Sequence, residues 1–355
     1  MARLGKAISG GVRSRAAWAI GVLCMGGFSA HAEFAAGRAL PPERDAHVAV
    51  VAGAIATVDG SVKETSRALY EVTGRSSLQG RREDYDLGDF GMDGGYPTFG
   101  LQVERAWKYW TLDCRLMYLA MDTAAVARRD YYIGVDGVSF RGREYEYMQI
   151  PAGRAFTADF TGLMLDVRGL ITPCSWHTRD GGLVVTPWIS LGGFLAGGTY
   201  EIDAGPASGL VTYQNPPETF VVGGAADGLV GAGLPELGLG GELRLGRAGE
   251  RHLVVRGDYA ICRYNGDTDL ITTADHRNKE IDFDHVNVRL SGGLEWPLSG
   301  GSAISTGVQF QYIRTEAEIV SDADTPAAIR AARERFDKDV AFEMTILAAY
   351  LGYRF

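Results

Sequence analysis

Cysteine is scarce, with four in 355 residues. One, Cys24, lies in the N-terminal apolar stretch, and Cys114, Cys174 and Cys262 are far apart. An odd remainder at such spacing excludes a dense disulfide framework and a CxxC-type metal site, leaving isolated thiols. Proline is also sparse, at 12 residues, which excludes a proline-rich or collagen-like chain. Beyond residue 32 no run reaches 18 consecutive apolar residues, so no helix there is expected to span a bilayer. Positive charge is in deficit, with 35 Lys and Arg against 44 Asp and Glu and a net charge of -9. Nucleic acid is not an expected partner, because phosphate contact needs a basic surface. Glycine is what the chain has in excess, at 48 residues. It is scattered among alternating apolar residues rather than gathered in linkers, which points to strands and turns.

Residues 1–32 read as a secretory signal peptide and 33–355 as the mature protein. The segment carries Arg3, Lys6, Arg13 and Arg15 with no acid, then the apolar run Ala16 to Met25, then Ala30-His31-Ala32 before Glu33. That order of basic, apolar and small-x-small residues is the exported pattern, and the run is shorter than the roughly 20 residues of a spanning helix. Leu23 before Cys24 argues against lipoprotein processing. Removing the four basic residues takes the formal charge from -9 to -13.

Period-two alternation recurs along the mature chain. Val286, Val288, Leu290, Gly292, Leu294 and Trp296 oppose Asn287, Arg289, Ser291, Gly293 and Glu295. Ile304, Thr306, Val308, Phe310 and Tyr312 oppose Ser305, Gly307, Gln309 and Gln311. Such two-faced strands belong to antiparallel sheets with different surroundings on each side. The same test predicts ten strands, near 47–58, 98–106, 110–122, 156–172, 182–201, 236–246, 252–264, 285–297, 303–317 and 339–355. In the first, both faces are apolar, so its register is not fixed by pattern.

The connections alternate in length. Short ones fall near Trp107–Tyr109, Cys174–Gly181, Arg247–Arg251 and Leu298–Ser302; long ones span 59–97, 123–155, 202–235, 265–284 and 318–338. Short turns at one rim and long loops at the other are the layout of bacterial outer-membrane barrels, with the turns periplasmic. The expected fold is therefore all-β, a closed antiparallel up-and-down transmembrane β-barrel of about ten strands, within a range of eight to twelve. A soluble β-sandwich would alternate too, but it does not predict this rhythm. Trp107, Tyr109, Trp110, Trp176 and Trp296 at the short turns fit an interfacial aromatic girdle. Within the long connections, Asp324 to Asp339 is predicted as a capped helix and Tyr131 to Met148 as an extra hairpin.

The chain stops inside a strand, with Leu347, Ala349, Leu351, Tyr353 and Phe355 on one face. This resembles the C-terminal signature of Gram-negative outer-membrane barrels, and the resemblance implies recognition by the barrel-insertion machinery through that strand. Outer-membrane lipid and lipopolysaccharide are the other expected partners.

With the apolar side toward lipid, the inward face bears Glu104, Asp113, Arg115, Asp166, Arg168, Glu236, Glu242, Arg244, Arg256, Asp258, Arg289, Glu295 and Arg354. Seven acids and six arginines, mostly near the short turns, are expected to pair, since unpaired burial is costly. The expectation is a charge-filled lumen, because eight strands leave an interior just filled by side chains and 16–18 are needed for an aqueous channel.

Candidate chemistry lies in the loops. The connection after the seventh strand carries Asp267, Asp269, Asp275, His276, Asp282, Asp284 and His285, and a His beside carboxylates can act as a general base. Ten strands with five outer loops resembles the omptin family of outer-membrane proteases, and the segment Gly53 to Tyr70, with Asp59-Gly60-Ser61-Val62-Lys63-Glu64-Thr65, is similar to that family's first hairpin. The resemblance implies an Asp-x-Asp pair in the second outer loop and an Asp-x-His pair in the fourth. Here the second loop has separated Asp130 and Asp136, Asp84-Tyr85-Asp86 falls in the first loop, and Asp275-His276 and Asp284-His285 are adjacent. Neighbouring strand residues point to opposite faces, so the catalytic spacing is not reproduced. Ser175-Trp176-His177 sits in a short turn on the wrong rim for surface chemistry. Glu83 to Asp86 and Asp89 to Asp93 offer oxygen ligands near glycine, a pattern better suited to solvated acid than to calcium. No residue is assigned as catalytic, cofactor-binding or metal-ligating. The expected role is non-enzymatic, a structural, small-pore or surface-binding protein of the outer membrane, with an omptin-like protease as the alternative.

Overall fold

The computed structural model describes residues 34–35, 46–65, 82–107, 109–134, 139–140, 143–144, 147–178, 182–211, 218–222, 225–247, 250–267, 279–321 and 338–355. The signal segment, Asp275, His276 and the helix expected from Asp324 lie outside them.

Ten long strands form the body: β1 (Ala46–Thr65), β2 (Tyr96–Ala106), β3 (Trp110–Val126), β4 (Ala155–Ile171), β5 (Leu183–Asp203), β6 (Ala225–Leu245), β7 (His252–Asp267), β8 (Lys279–Pro297), β9 (Ala303–Ser321) and β10 (Lys338–Arg354). Each pairs antiparallel with its neighbours in sequence, and β10 pairs back onto β1 from Arg354 opposite His47 to Lys338 opposite Glu64. The ring is thus closed, and every strand has two partners. Closure removes the sheet edges that lipid could not solvate, because unpaired backbone groups in hydrocarbon cost several kcal/mol each.

The lipid-facing surface is legible on each strand. On β8 the outward residues from Trp296 back to Val286 are apolar or glycine, and the next outward residue is Asp284. At about 3.3 Å per residue and a tilt near 40°, that stretch spans about 25 Å, the height of an outer-membrane apolar band. Asp122 on β3, Asp159 on β4, Glu201 on β5 and Glu343 on β10 are exposed at the matching outer margin. Tyr109, Trp110, Trp176, Tyr353 and Phe355 are exposed at the short-turn rim, where amphipathic rings meet headgroups. The chain forms a ten-stranded transmembrane β-barrel of the bacterial outer-membrane type, as its alternation predicts.

Two expectations need correction. First, the periplasmic ends of the strands fall within two residues of prediction, but most outer ends run further: β6 begins at Ala225, not 236, and β8 at Lys279, not 285. Second, the inward face is not polar throughout. Above the lipid band the hydrophobic phase inverts. On β4 Leu163, Leu165 and Val167 point out while Asp166 and Arg168 point in; nearer the outer end Thr157 and Asp159 are exposed while Phe156 and Ala158 are buried. Leu119, Met121, Ile202, Ile313, Met344 and Ile346 likewise point inward. In this half the outside is water and the interior is a protein core, so burial of apolar groups sets the phase.

Loops complete that core. The expected hairpin forms as Tyr131–Gly134 paired with Tyr147–Ile150, and Tyr131, Ile133, Met148 and Ile150 are buried in it. Asp130 pins its base, accepting the Ala152 N–H at 2.9 Å. A one-turn segment, Leu87–Phe90, capped by Asp86 accepting from Gly88 N at 3.0 Å, brings Phe90 against Tyr131 with ring centroids 5.6 Å apart. In β1 the register shifts by one residue at Ala56, a β-bulge that keeps Ile55 and Val58 both inward. This is where pattern could not fix the strand.

Candidate functional site

The periplasmic half of the lumen holds the polar residues, each placed by the inward parity of its strand. Arg168, 0 % exposed, is the centre. Its Nε donates to Asp166 Oδ1 at 2.8 Å, its Nη2 lies 2.8 Å from Glu236 Oε2, and its Nη1 donates to Asp258. Asn287 donates to Asp166 at 3.0 Å and to Glu236 at 2.9 Å, and the Trp188 indole N–H donates to Asp258 at 2.9 Å. Three buried carboxylates thus share one guanidinium and several neutral donors. Buried charges are tolerable only when their lone pairs are met in this way.

Nearer the periplasm a looser layer follows. Arg289 binds Asp113 at 2.9 Å, Arg256 bridges Glu104 and Glu242 at 2.5 and 2.6 Å, and Arg354 binds Glu295 at 2.7 Å, with Arg244 within 3.4 Å of Glu295. Gln309 donates to Gln102, and Gln102 to Glu104 and Asp113. Of the thirteen inward charges that the alternation singled out, twelve are paired. The thirteenth, Arg115, makes no described hydrogen bond or ion pair.

A cavity of about 350 Å³ occupies this layer, lined by Arg115, Arg289, Arg256, Trp188 and, at the rim, Trp107 and Trp110. Above the Arg168 layer the apolar core begins, so the lumen is filled twice: by ion pairs and then by hydrocarbon.

Among the described residues, the loop candidates are not brought together as a catalytic set. His285, expected at the end of an outer loop, is fully buried inside the barrel. Its Nε2 donates to Glu236 at 2.9 Å, Thr315 Oγ1 lies 2.9 Å from Nδ1, and its ring faces Phe194 with centroids 5.2 Å apart. Asp284 points the opposite way, 3.4 Å from Arg263. Adjacency on a strand makes this separation obligatory. Ser175 is buried in the β4–β5 turn, 3.3 Å from Thr186 Oγ1. Asp89 faces Arg128 at 3.6 Å. Cys114, Cys174 and Cys262 are free.

Sequence reasoning placed Asn287, Gln309 and Gln311 on polar faces without assigning them to the network, and it missed Gln102 and Trp188. Their signal was available: each lies at an inward position of its strand, and Gln102 and Asn287 share that parity with Glu104 and Arg289.

No family model and no curated protein matches the chain. Among solved structures it is similar to the outer membrane protease OmpT of Escherichia coli, at 11% identity over 88% of this chain and 97% of that one, with a TM-score of 0.40. It is also similar to the toluene transporter TodX of P. putida, at 8% identity over 89% of this chain and 91% of that one, with a TM-score of 0.19. Similarity at this level assigns no residue a role.

Proposed function

We propose that this protein is a closed, non-conducting outer-membrane barrel with a structural and surface-binding role, its outer half serving as a rigid platform outside the membrane. The supporting observation is the double filling of the lumen, by the Arg168 network and by the apolar core around Met117, Met164 and Ile313. A path for a solute would have to break both layers. Planar-bilayer recordings of the refolded protein are expected to show no stable open level, and a large steady conductance overturns the proposal. The omptin-like alternative rests on the ten-strand, five-loop layout and on Asp275-His276 and Asp284-His285; the first pair lies outside the described residues, and in the second His285 is buried in the lumen while Asp284 faces Arg263.

Insertion machinery and lipopolysaccharide are the proposed partners during assembly. The terminal residue completes the ring, since the Phe355 N–H donates to the Ala46 carbonyl at 2.9 Å. Deleting Phe355 is expected to slow assembly into vesicles that contain the machinery, and lipopolysaccharide to speed it for the intact chain. Equal assembly rates, scored by cold-gel mobility, would argue against both partners.

A further inference from the structure

Arg115 is the one charged side chain of the lumen network with no described hydrogen bond or ion pair. It is only 2 % exposed, and its Nε and Nη2 are buried with no hydrogen-bond partner. On β3 it sits laterally between Gln102 of β2 and Asp166 of β4. Both are committed elsewhere: the Gln102 oxygen accepts from Gln309 at 2.8 Å, and the Asp166 carboxylate is held by Arg168 and Asn287. Asp113, two residues away, is held by Arg289 and Gln102. Neither strand neighbour accepts from Arg115, and a guanidinium without a hydrogen bond at this depth is costly.

Its free nitrogens are informative. Nε–H and Nη2–H form the edge of the guanidinium that takes a carboxylate or phosphate through two parallel hydrogen bonds. Arg115 also lines the 350 Å³ cavity, whose walls carry five arginines against four carboxylates. That volume is within the range of small-molecule sites, and Trp107, Trp110 and Trp188 supply apolar surface beside the charge. Turning the guanidinium toward the cavity sacrifices no hydrogen bond to a described residue.

From these observations we infer that the vestibule binds a small organic oxyanion from the periplasmic side, with its carboxylate or phosphate on Arg115 and its apolar part along the tryptophans. This site is separate from the surface role above, and either can fail without the other.

The test is calorimetric titration of the full chain, refolded in neutral detergent, with benzoate, phenyl phosphate, acetate and inorganic phosphate. Saturable binding is expected for an aromatic probe, tighter than for its counterpart without the ring. Preference between benzoate and phenyl phosphate identifies which oxyanion the site takes. Arg115→Met, which keeps much of the side-chain volume, is expected to weaken binding at least tenfold. Arg115→Lys retains the charge without the fork and is expected to fall between the two, which keeps the test valid should the methionine variant not fold. The absence of saturable binding by any of the four probes overturns the inference and leaves the cavity to water. Equal binding by wild type and either variant overturns it as well.

Discussion

Replacing Arg168 by methionine is expected to be the most damaging single change in the barrel. The variant leaves Asp166, Glu236 and Asp258 buried together without the guanidinium that binds all three. Breaking one buried ion pair costs about 3–5 kcal/mol, because the orphaned charge stays desolvated. With three carboxylates affected, the loss should reach the top of that range or prevent assembly. Urea unfolding in micelles and the heat-dependent gel shift would measure it. Arg168→Met combined with Asp258→Asn and Glu236→Gln should recover part of the loss, since neutral amides cost less to bury and can donate to the remaining carboxylate. A single variant as stable as wild type would mean that the network is not what holds this half of the lumen.

The second large effect tests the outer surface. Leu239, 64 % exposed on β6, faces outward near the middle of the apolar band. Leu239→Arg is expected to cost about 2–4 kcal/mol in a bilayer, the usual cost of a charged side chain at the midplane of a barrel wall. Asp122→Arg, on the outward face at the outer margin, should change stability by no more than about 1 kcal/mol. Equilibrium folding into phospholipid vesicles would compare them. Equal costs at the two depths would remove the basis for placing the membrane between the aromatic rim and the outer acids.

Both expectations depend on the interior being organised by depth. Between the aromatic rim and the outer acids, lipid takes the apolar face and the polar face must satisfy itself inside. Beyond that margin water takes the outside, and Phe156, Met121, Ile202 and Met344 turn inward to form a core like that of a soluble protein. The strands continue through the change without a break, so one chain uses both senses of amphipathicity in succession. Among the described residues the two fillings meet near Met164 and Gln311, both fully buried. The proposed closure and the periplasmic position of the cavity both follow from that stacking.

Alternation in the sequence was sufficient for the strand number, the periplasmic strand ends, the closed antiparallel architecture and the inward charges, because lipid imposes a strict two-residue period wherever it touches the wall. Tertiary structure alone decided the rest. The outer strand extensions were not visible because their phase is reversed and loop residues cover their inner face, so no single period spans the whole element. The bulge at Ala56 lay in a strand apolar on both sides, where pattern is silent. His285 moved from loop to lumen because β8 starts at Lys279, six residues before the pattern resolves. Which acid meets which arginine, and that Arg115 forms no described hydrogen bond or ion pair, depends on lateral register and side-chain reach across the barrel, and a one-dimensional period carries neither.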